Sequence, residues 1–183
     1  MPEPDRNQSI ALLEEFIKSD SLCQHCYMVA TAMEGYADLL HLSNIEKHEW
    51  WTAGLLHDLD WEKYPDEHPA IAVREILPNH GYGSGVVNAI KAHAPLRTGK
   101  EPEDKIERYL FACDELSGFM NAVSLMRPNG FSDMKVKSVT KKLKDSRFAE
   151  NVPRSDITKG ASLISLPLQD HIQNLINIFK KVY

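Results

Sequence analysis

The sequence predicts an all-α protein that folds as a single-domain helical bundle. Apolar residues recur three and four positions apart in one segment after another, which is the spacing of amphipathic helices. Two of these segments begin with a serine followed three residues later by Glu or Gln, as in the capping boxes that start helices. No alternation of apolar and polar residues is long enough to predict a β-strand, and we find no internal repeat.

Three predicted helices lead to an apolar segment that ends in charged residues. Their starts are Ser9, Ser21 with Gln24 as a capping box, and Ser43 with Glu46 as a second capping box. The second helix spaces its apolar residues alternately four and three apart, and His25 lies beside that seam. The third helix runs to His57. Two consecutive helices therefore carry histidines near their apolar faces.

More helices are predicted after a polar loop. Their starts are Pro69, with Asp66 or His68 as its cap; Ser84, for a helix that ends at His93; Pro102; Ser132; Ser155; and Pro167. The helix from Pro102 is the longest, and Asp114 lies one step from its apolar seam. A carboxylate so close to a packing face is unusual in a core, so Asp114 is a candidate functional residue.

Length and composition favour one domain with one core. The chain has 183 residues, of which 43% are hydrophobic, and this is enough to bury a sizeable core. We expect a single domain over residues 1–183. Within it, the helices of 132–183 are expected to pack on a core of about 21–127, which carries the candidate site.

Charge and cysteine content narrow the possible functions. The net charge of −5 argues against a general nucleic-acid or anionic-membrane binder, and the lysines of 135–147 are interpreted as a solvated helix face. No apolar run reaches membrane-spanning length, and no hydrophobic signal segment opens the chain. Three cysteines are too few for a disulfide scaffold. The spacing of Cys23 and Cys26 would suit redox chemistry or zinc, but they lie inside a helical seam with no second Cys pair and are interpreted as core thiols. We expect a cytoplasmic protein, and a homo-oligomer stays open.

The adjacent His57 and Asp58 close an apolar segment, where an imidazole and a carboxylate are costly to bury without partners. A metal ion satisfies both, since neutral His nitrogen and carboxylate oxygen are ligands for zinc, iron, manganese and related ions. The further candidate ligands are His25, His68, His93 and Asp114. Four histidines and two aspartates suffice for two ions that share a bridging carboxylate. Two ions about 3.5–4 Å apart can clamp a phosphoryl group while a bound water, its pKa lowered from ~15.7 to about 7, attacks.

Other polar and aromatic residues near these positions have less specific interpretations. For His68 and His93 the alternative to metal ligation is helix capping or a contact with a helix dipole. The histidines expected at the surface or in loops are His41, His48, His80 and His171. Trp61 is interpreted as a core residue or as the wall of a pocket for a base.

The order His25, His57-Asp58, Asp114 on helices resembles the HD-domain superfamily of metal-dependent phosphohydrolases, named for its His-Asp doublet. Segments 68–77 and 89–94 resemble the helices that carry two further metal-binding histidines in its binuclear branch. The context of 55–65 and 112–118 is similar to small, stand-alone bacterial HD proteins, most of them known only as predicted hydrolases. In that group the resemblance covers about residues 9–183.

The resemblance implies a ligand set and an activity. The core ligands would be His25, His57, Asp58 and Asp114, and a second ion would bind through His68 and His93 with Asp58 as the bridge. The cofactor would be one or two divalent ions of zinc, iron, manganese or magnesium. The implied activity is hydrolysis of a phosphomonoester or phosphodiester in a small phosphorylated metabolite, such as a nucleotide, with metal-bound hydroxide as the nucleophile.

The chain departs from many binuclear relatives just after the doublet. Those relatives place Gly-Lys after the next apolar residue, with the lysine facing phosphate, whereas this chain has Asp60-Trp61 there. The candidate phosphate-binding cations are therefore Lys63, Arg97 and Arg127. The candidate catalytic carboxylates are Asp58, Asp60 and Glu62, the last two as general acid or base.

Two other functions remain open at this point. Some HD proteins with the six-ligand set are di-iron oxygenases, for which two irons per chain and oxygen consumption would be diagnostic. A metal-bearing HD module that only binds or regulates would hold metal without turning over any phosphoester.

Overall fold

The computed structural model describes residues 4–183, and this part of the chain forms helices and turns with no strand. The helices are α1 (Arg6–Phe16), α2 (Asp20–Leu39), α3 (Asn44–Leu56), α4 (Leu77–Asn79), α5 (Ser84–His93), α6 (Pro95–Thr98), α7 (Lys105–Leu125), α8 (Val136–Leu143), α9 (Arg154–Leu163) and α10 (Leu168–Phe179). The all-α prediction is confirmed. None of the described helices is both long and apolar enough to cross a membrane.

Serine caps begin the two helices that lead to the doublet. Glu46 N–H donates to Ser43 Oγ (3.3 Å) and Ser43 N–H donates to Glu46 Oε2 (2.8 Å), which is the predicted capping box. The predicted Ser21 cap is wrong, because Ser19 caps α2 by accepting from Leu22 N–H (3.4 Å). Ser19 has an extended backbone, whereas Ser21 is already helical and cannot serve as an N-cap.

Acidic residues set two further helix starts away from the predicted positions. Asp5 caps α1 through Gln8, so this helix begins three residues before Ser9. The long helix α7 begins at Lys105 rather than Pro102, because the buried carboxylate of Glu107 accepts hydrogen bonds from the backbone N–H groups at 103 and 104. These bonds hold the preceding loop and fix the first turn of α7.

The segment after the doublet is anchored by Asp60. Helical backbone begins at Ala70, widens to π-helical geometry over Ala72–Ile76 and continues into α4. Asp60 Oδ2 accepts from Ala72 N–H (2.7 Å), so the expectation that Asp66 or His68 caps this helix is wrong. The carboxylate of Asp60 is fully buried and ties the start of the helix back to the doublet.

The central layer consists of α2, α3, α5 and α7, with α9 packed on α7 and α10 packed on α2 and α8. Gly54 allows α3 to approach α2 closely, because a Cβ there would lie 2.8 Å from the Cα of Ala30. Gly160 does the same for α9, where a Cβ would lie 2.7 Å from the Cα of Ala112 in α7. These close crossings bring residues that are far apart in sequence to one end of the bundle.

His171 lies in the core rather than at the surface, so the expectation for this residue is wrong. Its side chain is fully buried on α10. Its Nε2–H donates to the carbonyl oxygen of Ala112 (2.9 Å), and its Nδ1 accepts from the Tyr36 hydroxyl. Because both ring nitrogens are hydrogen-bonded, the imidazole is tolerated in an apolar environment. Burial lowers the pKa of His171 to about 4, so it is neutral near pH 7.

Candidate metal centre

Three helices and the turn after α3 bring the first four predicted ligands together. His25 lies on α2, His57 caps α3, Asp58 follows it, and Asp114 lies in the middle of α7. His25 Nε2 lies 3.1 Å from His57 Nε2 and 3.0 Å from Asp114 Oδ1. His57 Nε2 lies 3.3 Å from Oδ2 of Asp58 and 3.3 Å from Oδ1 of Asp114. His25, His57 and Asp58 therefore offer three atoms around one point, and Asp114 Oδ1 lies against the two histidine nitrogens of that set.

The second group uses the other oxygen of the same carboxylate. Asp58 Oδ1 lies 3.4 Å from Nε2 of His68 and 3.8 Å from Nε2 of His93, and those two nitrogens are 3.2 Å apart. The sets His25–His57–Asp58 and Asp58–His68–His93 each have the geometry of a metal-binding group. Asp58 belongs to both, with one oxygen facing each set.

The hydrogen bonds on the far side of the rings show which nitrogens carry protons. The Nδ1–H groups of His57 and His93 donate to the carbonyl oxygens of Gly54 (2.8 Å) and Ile90. The Nδ1–H of His68 donates to Asp60 Oδ1 (2.7 Å). Because a carbonyl oxygen or carboxylate can only accept, each neutral ring keeps an Nε2 lone pair, and all three point at Asp58. Lone pairs converging on a carboxylate require a cation.

The charges of the cluster also favour a bound cation. Burial acts to lower the pKa of His57, but the carboxylates of Asp58 and Asp114 outweigh it and raise that pKa well above 6.5. Burial likewise opposes ionisation of Asp114, but the imidazoles of His57 and His25 hold its pKa well below its usual range. The cluster therefore attracts positive charge, which either protons or a metal ion can supply.

The donor set fits a divalent transition metal. Ligands held at about 2.0–2.2 Å from one ion are separated from each other by roughly 3.0–3.6 Å. The separations within the two sets run from 3.1 to 3.8 Å. Imidazole together with carboxylate suits zinc, iron and manganese better than it suits magnesium, which prefers oxygen alone.

A pocket of about 470 Å³ adjoins the cluster. Five of the six predicted ligands line it, His57 being fully enclosed behind them. Aromatic side chains of Trp61 and Phe111 form part of its wall. Trp61 is 41% exposed, so its interpretation as a core residue is wrong and its interpretation as a pocket wall agrees with the structure. The volume is typical of a small-molecule site.

Of the three predicted phosphate-binding cations, only Arg97 reaches this pocket. Its guanidinium lies 5.1 Å from the ring centre of Trp61 and donates to the carbonyl oxygen of Pro65 (2.8 Å). Lys63 instead places its amine over the ring of Phe16 (3.9 Å). Arg127 is paired with Asp133 and Ser138 at the far end of α7. These three cations look alike in the sequence, because each lies in a loop or at the end of a helix.

Two predicted catalytic carboxylates also have other roles. Glu62 lies outside the pocket lining and accepts from the backbone N–H groups of Lys18 (2.9 Å) and Ser19 (3.0 Å), which bind it to the start of α2. Asp60 is fully buried between the Nδ1–H of His68 and the N–H of Ala72. Asp60 is therefore placed to orient the ring of His68, a candidate ligand.

The pocket residues that no sequence pattern indicated come from the segment 94–96, from α7, and from α9 with the loop before it. They are Ala94, Pro95, Leu96, Phe111, Glu115, Asn151, Asp156 and Lys159. Burial, followed by the negative charges of Asp114 and Asp156, raises the pKa of Glu115 to about 8. Glu115 could have been suspected as a neighbour of Asp114, but no motif marks the residues of α9. Only the packing of α9 on α7 places them here.

The cysteines do not join the cluster as ligands among the described groups. Cys23, Cys26 and Cys113 are all free thiols, and burial raises the pKa of Cys26 to about 12. The interpretation as a core thiol agrees with the placement of Cys26, whereas Cys23 is only partly buried at the edge of the core.

The fold and the cluster define an all-α protein whose His and Asp side chains could hold one or two metal ions. The family model described as HD domain matches residues 22–118, and the chain belongs to the HD-domain family. Members of this family are generally metal-dependent hydrolases. No curated protein and no solved structure matched the chain.

Proposed function

We propose that this chain is a metal-dependent phosphohydrolase that acts on the phosphoester bond of a small phosphorylated metabolite. The observation that carries the proposal is the shared carboxylate: Asp58 turns one oxygen to each of two His-containing sets, beside a pocket that also holds Arg97. Ions bound in these sets would activate a water molecule and neutralise phosphate charge.

The side chains around the pocket have distinct tasks in this proposal. Asp58 and Asp114 supply the negative charge that retains the metal, and Asp60 holds His68 in the tautomer that ligates. Arg97 binds the phosphate, because its guanidinium is fixed by the Pro65 carbonyl and the Trp61 ring while other N–H groups remain to donate. Trp61 and Phe111 exclude water from the bound ester.

The experiment combines metal analysis of freshly purified protein with a broad phosphoester panel. We expect at least one divalent ion per chain and metal-dependent hydrolysis of at least one ester. In the Arg97→Met variant, kcat/KM should fall by roughly 10- to 100-fold with metal content unchanged. The matched control is Arg127→Met, whose guanidinium is far from the pocket and whose loss should leave kcat/KM within about twofold.

The two remaining functions of the ligand set are separated by the same measurements. Because His68 and His93 complete a second set, a di-iron oxygenase remains a candidate, and two irons per chain with oxygen consumption would favour it. Bound metal with no turnover of any ester would favour a binding or regulatory module.

A further inference from the structure

One wall of the pocket comes from outside the part of the chain that matches the family. The match covers 22–118, whereas Asn151, Asp156 and Lys159 lie on α9 and the loop before it. The six candidate ligands all lie inside the matched range. The residues that hold metal thus belong to the part shared with the family, and we expect the residues that select a substrate to lie on this wall.

The wall is held close to the metal centre by the packing of α9 on α7. Gly160 lies against the backbone of Ala112, where no side chain would fit. Ala112 is one turn of α7 away from Glu115, which lines the same pocket. The position of Asp156, one turn before Gly160, is thus fixed by a rigid helix–helix contact.

The charges of this wall are uneven. Lys159 is paired with Glu101 (2.7 Å) and lies over the ring of Phe111, so its charge is already partnered. Asp156 and Glu115 both border the pocket with carboxyl groups. Among the described residues of the pocket, a second cation, Arg97, lies on a different helix, α6. The pocket therefore has the cation of Arg97 on α6 and carboxyl groups on two other helices, Glu115 on α7 and Asp156 on α9.

We propose that the substrate is a phosphorylated amine, whose protonated amino group binds Asp156 while its phosphate lies at the metal centre and Arg97. This inference rests on the proposed function. A cation bound beside the carboxylate of Asp156 gains charge-assisted hydrogen bonds, whereas a methyl group of the same size would leave that carboxylate without a cation. Asp156 is then a specificity residue rather than a catalytic one.

A purely structural role for Asp156 makes a different prediction. It lies in the first turn of α9, where an acidic side chain stabilises a helix through its dipole. Such a role would change stability but not the preference among ligands. The readout must therefore be a ratio of affinities measured on folded protein.

The test uses three non-hydrolysable phosphonates that differ only at the far end: 4-aminobutyl-, 4-hydroxybutyl- and pentylphosphonate. Calorimetry on the full chain reconstituted with Mn²⁺ gives their affinities without requiring turnover. We expect the amino ligand to bind wild-type protein at least about tenfold more tightly than the pentyl ligand. In Asp156→Asn this ratio should fall below about threefold, with pentylphosphonate affinity unchanged.

The controls separate the outcomes. Glu150→Gln removes an exposed carboxylate from the loop before α9, outside the pocket, and should keep the wild-type ratio. If Asp156→Asn does not fold, Asp156→Glu moves the carboxylate by one methylene and must change the ratio. Equal or weaker binding of the amino ligand, no binding of it, or a full preference in Asp156→Asn overturns the inference. Loss of the proposed function would instead appear as absent metal or absent ester hydrolysis.

Discussion

The candidate metal centre and the core around His171 both bury imidazoles, but they use the two ring nitrogens in opposite ways. At the centre, Nδ1–H groups of His57, His68 and His93 are bound by acceptors and the Nε2 lone pairs face Asp58. At His171, Nε2–H donates to a carbonyl and Nδ1 accepts from the Tyr36 hydroxyl. Both nitrogens of the His171 ring are therefore hydrogen-bonded within the protein, whereas each of the other three rings has one nitrogen that faces Asp58.

This difference distinguishes a structural histidine from a ligand. A buried imidazole with both nitrogens bonded needs nothing further, so it contributes to packing. A buried imidazole that presents a lone pair to other lone pairs is unfavourable until a cation arrives. Removing metal should therefore change the two regions very differently, and the following predictions test that contrast.

The largest effect is expected at the shared carboxylate. Asp58→Ala removes an oxygen from each set, so metal content should fall by at least half and ester hydrolysis by at least about 1,000-fold. Metal analysis and the phosphoester panel measure both. Asp66→Ala, in the exposed loop before His68, is the matched control and should retain both. Full activity of Asp58→Ala would rule out the proposed mechanism.

This contrast can be predicted from the sequence only where it depends on residues that are close together in the chain. The helices follow from local apolar spacing, and the doublet with Asp114 follows from polar residues set in apolar segments. The burial of His171 does not follow from the sequence, because its partners, Tyr36 and the Ala112 carbonyl, are distant in sequence and one of them is a backbone group. Sequence spacing carries no information about such a bond.

The outer parts of the site were harder to predict for the same reason. Arg97, Lys63 and Arg127 are indistinguishable as cations near loops, and only tertiary contacts assign them to Trp61, Phe16 and Asp133. Asp156 carries no motif and reaches the pocket through one close helix crossing. Side chains fixed by their own helix were predictable, whereas those placed by another helix were not.

The next effect concerns pH and His171. Its pKa is lowered from 6.5 to about 4 in the folded protein, because burial disfavours the charged ring. Between these values the unfolded chain binds more protons, so the free energy of unfolding should decrease as the pH falls from 6.5 to 4, by roughly 3 kcal/mol in total. Denaturation in chelator at several pH values measures it.

The control for this prediction is His171→Gln, which cannot titrate. Between pH 6.5 and 4, the free energy of unfolding of this variant should not show the decrease that His171 causes. The groups of the metal centre still contribute to the pH dependence of both proteins. Parallel pH curves for the variant and the wild-type protein would contradict a neutral, buried His171.

A smaller effect is expected where α3 crosses α2. Gly54→Ala places a Cβ 2.8 Å from the backbone of Ala30, so the helices must separate, at a cost of about 1–3 kcal/mol. Because His57 follows on α3 and His25 lies on α2, metal affinity should also fall. Gly118→Ala is the control, since its Cβ would lie in ordinary contact, 3.6 Å from His25. Equal metal affinity in both variants would contradict the argument.

The smallest effect is expected for the hydrogen bond between Tyr36 and His171. Tyr36→Phe leaves Nδ1 of the buried His171 without its donor, which should cost about 1–2 kcal/mol in the free energy of unfolding and leave metal content unchanged. Adding His171→Leu removes the other partner, so the double variant should lose less than the sum of the two single changes. Denaturation of the four proteins gives the coupling. A fall in metal content in Tyr36→Phe would mean that the two regions are not independent, because the hydroxyl would then support the metal centre through α2.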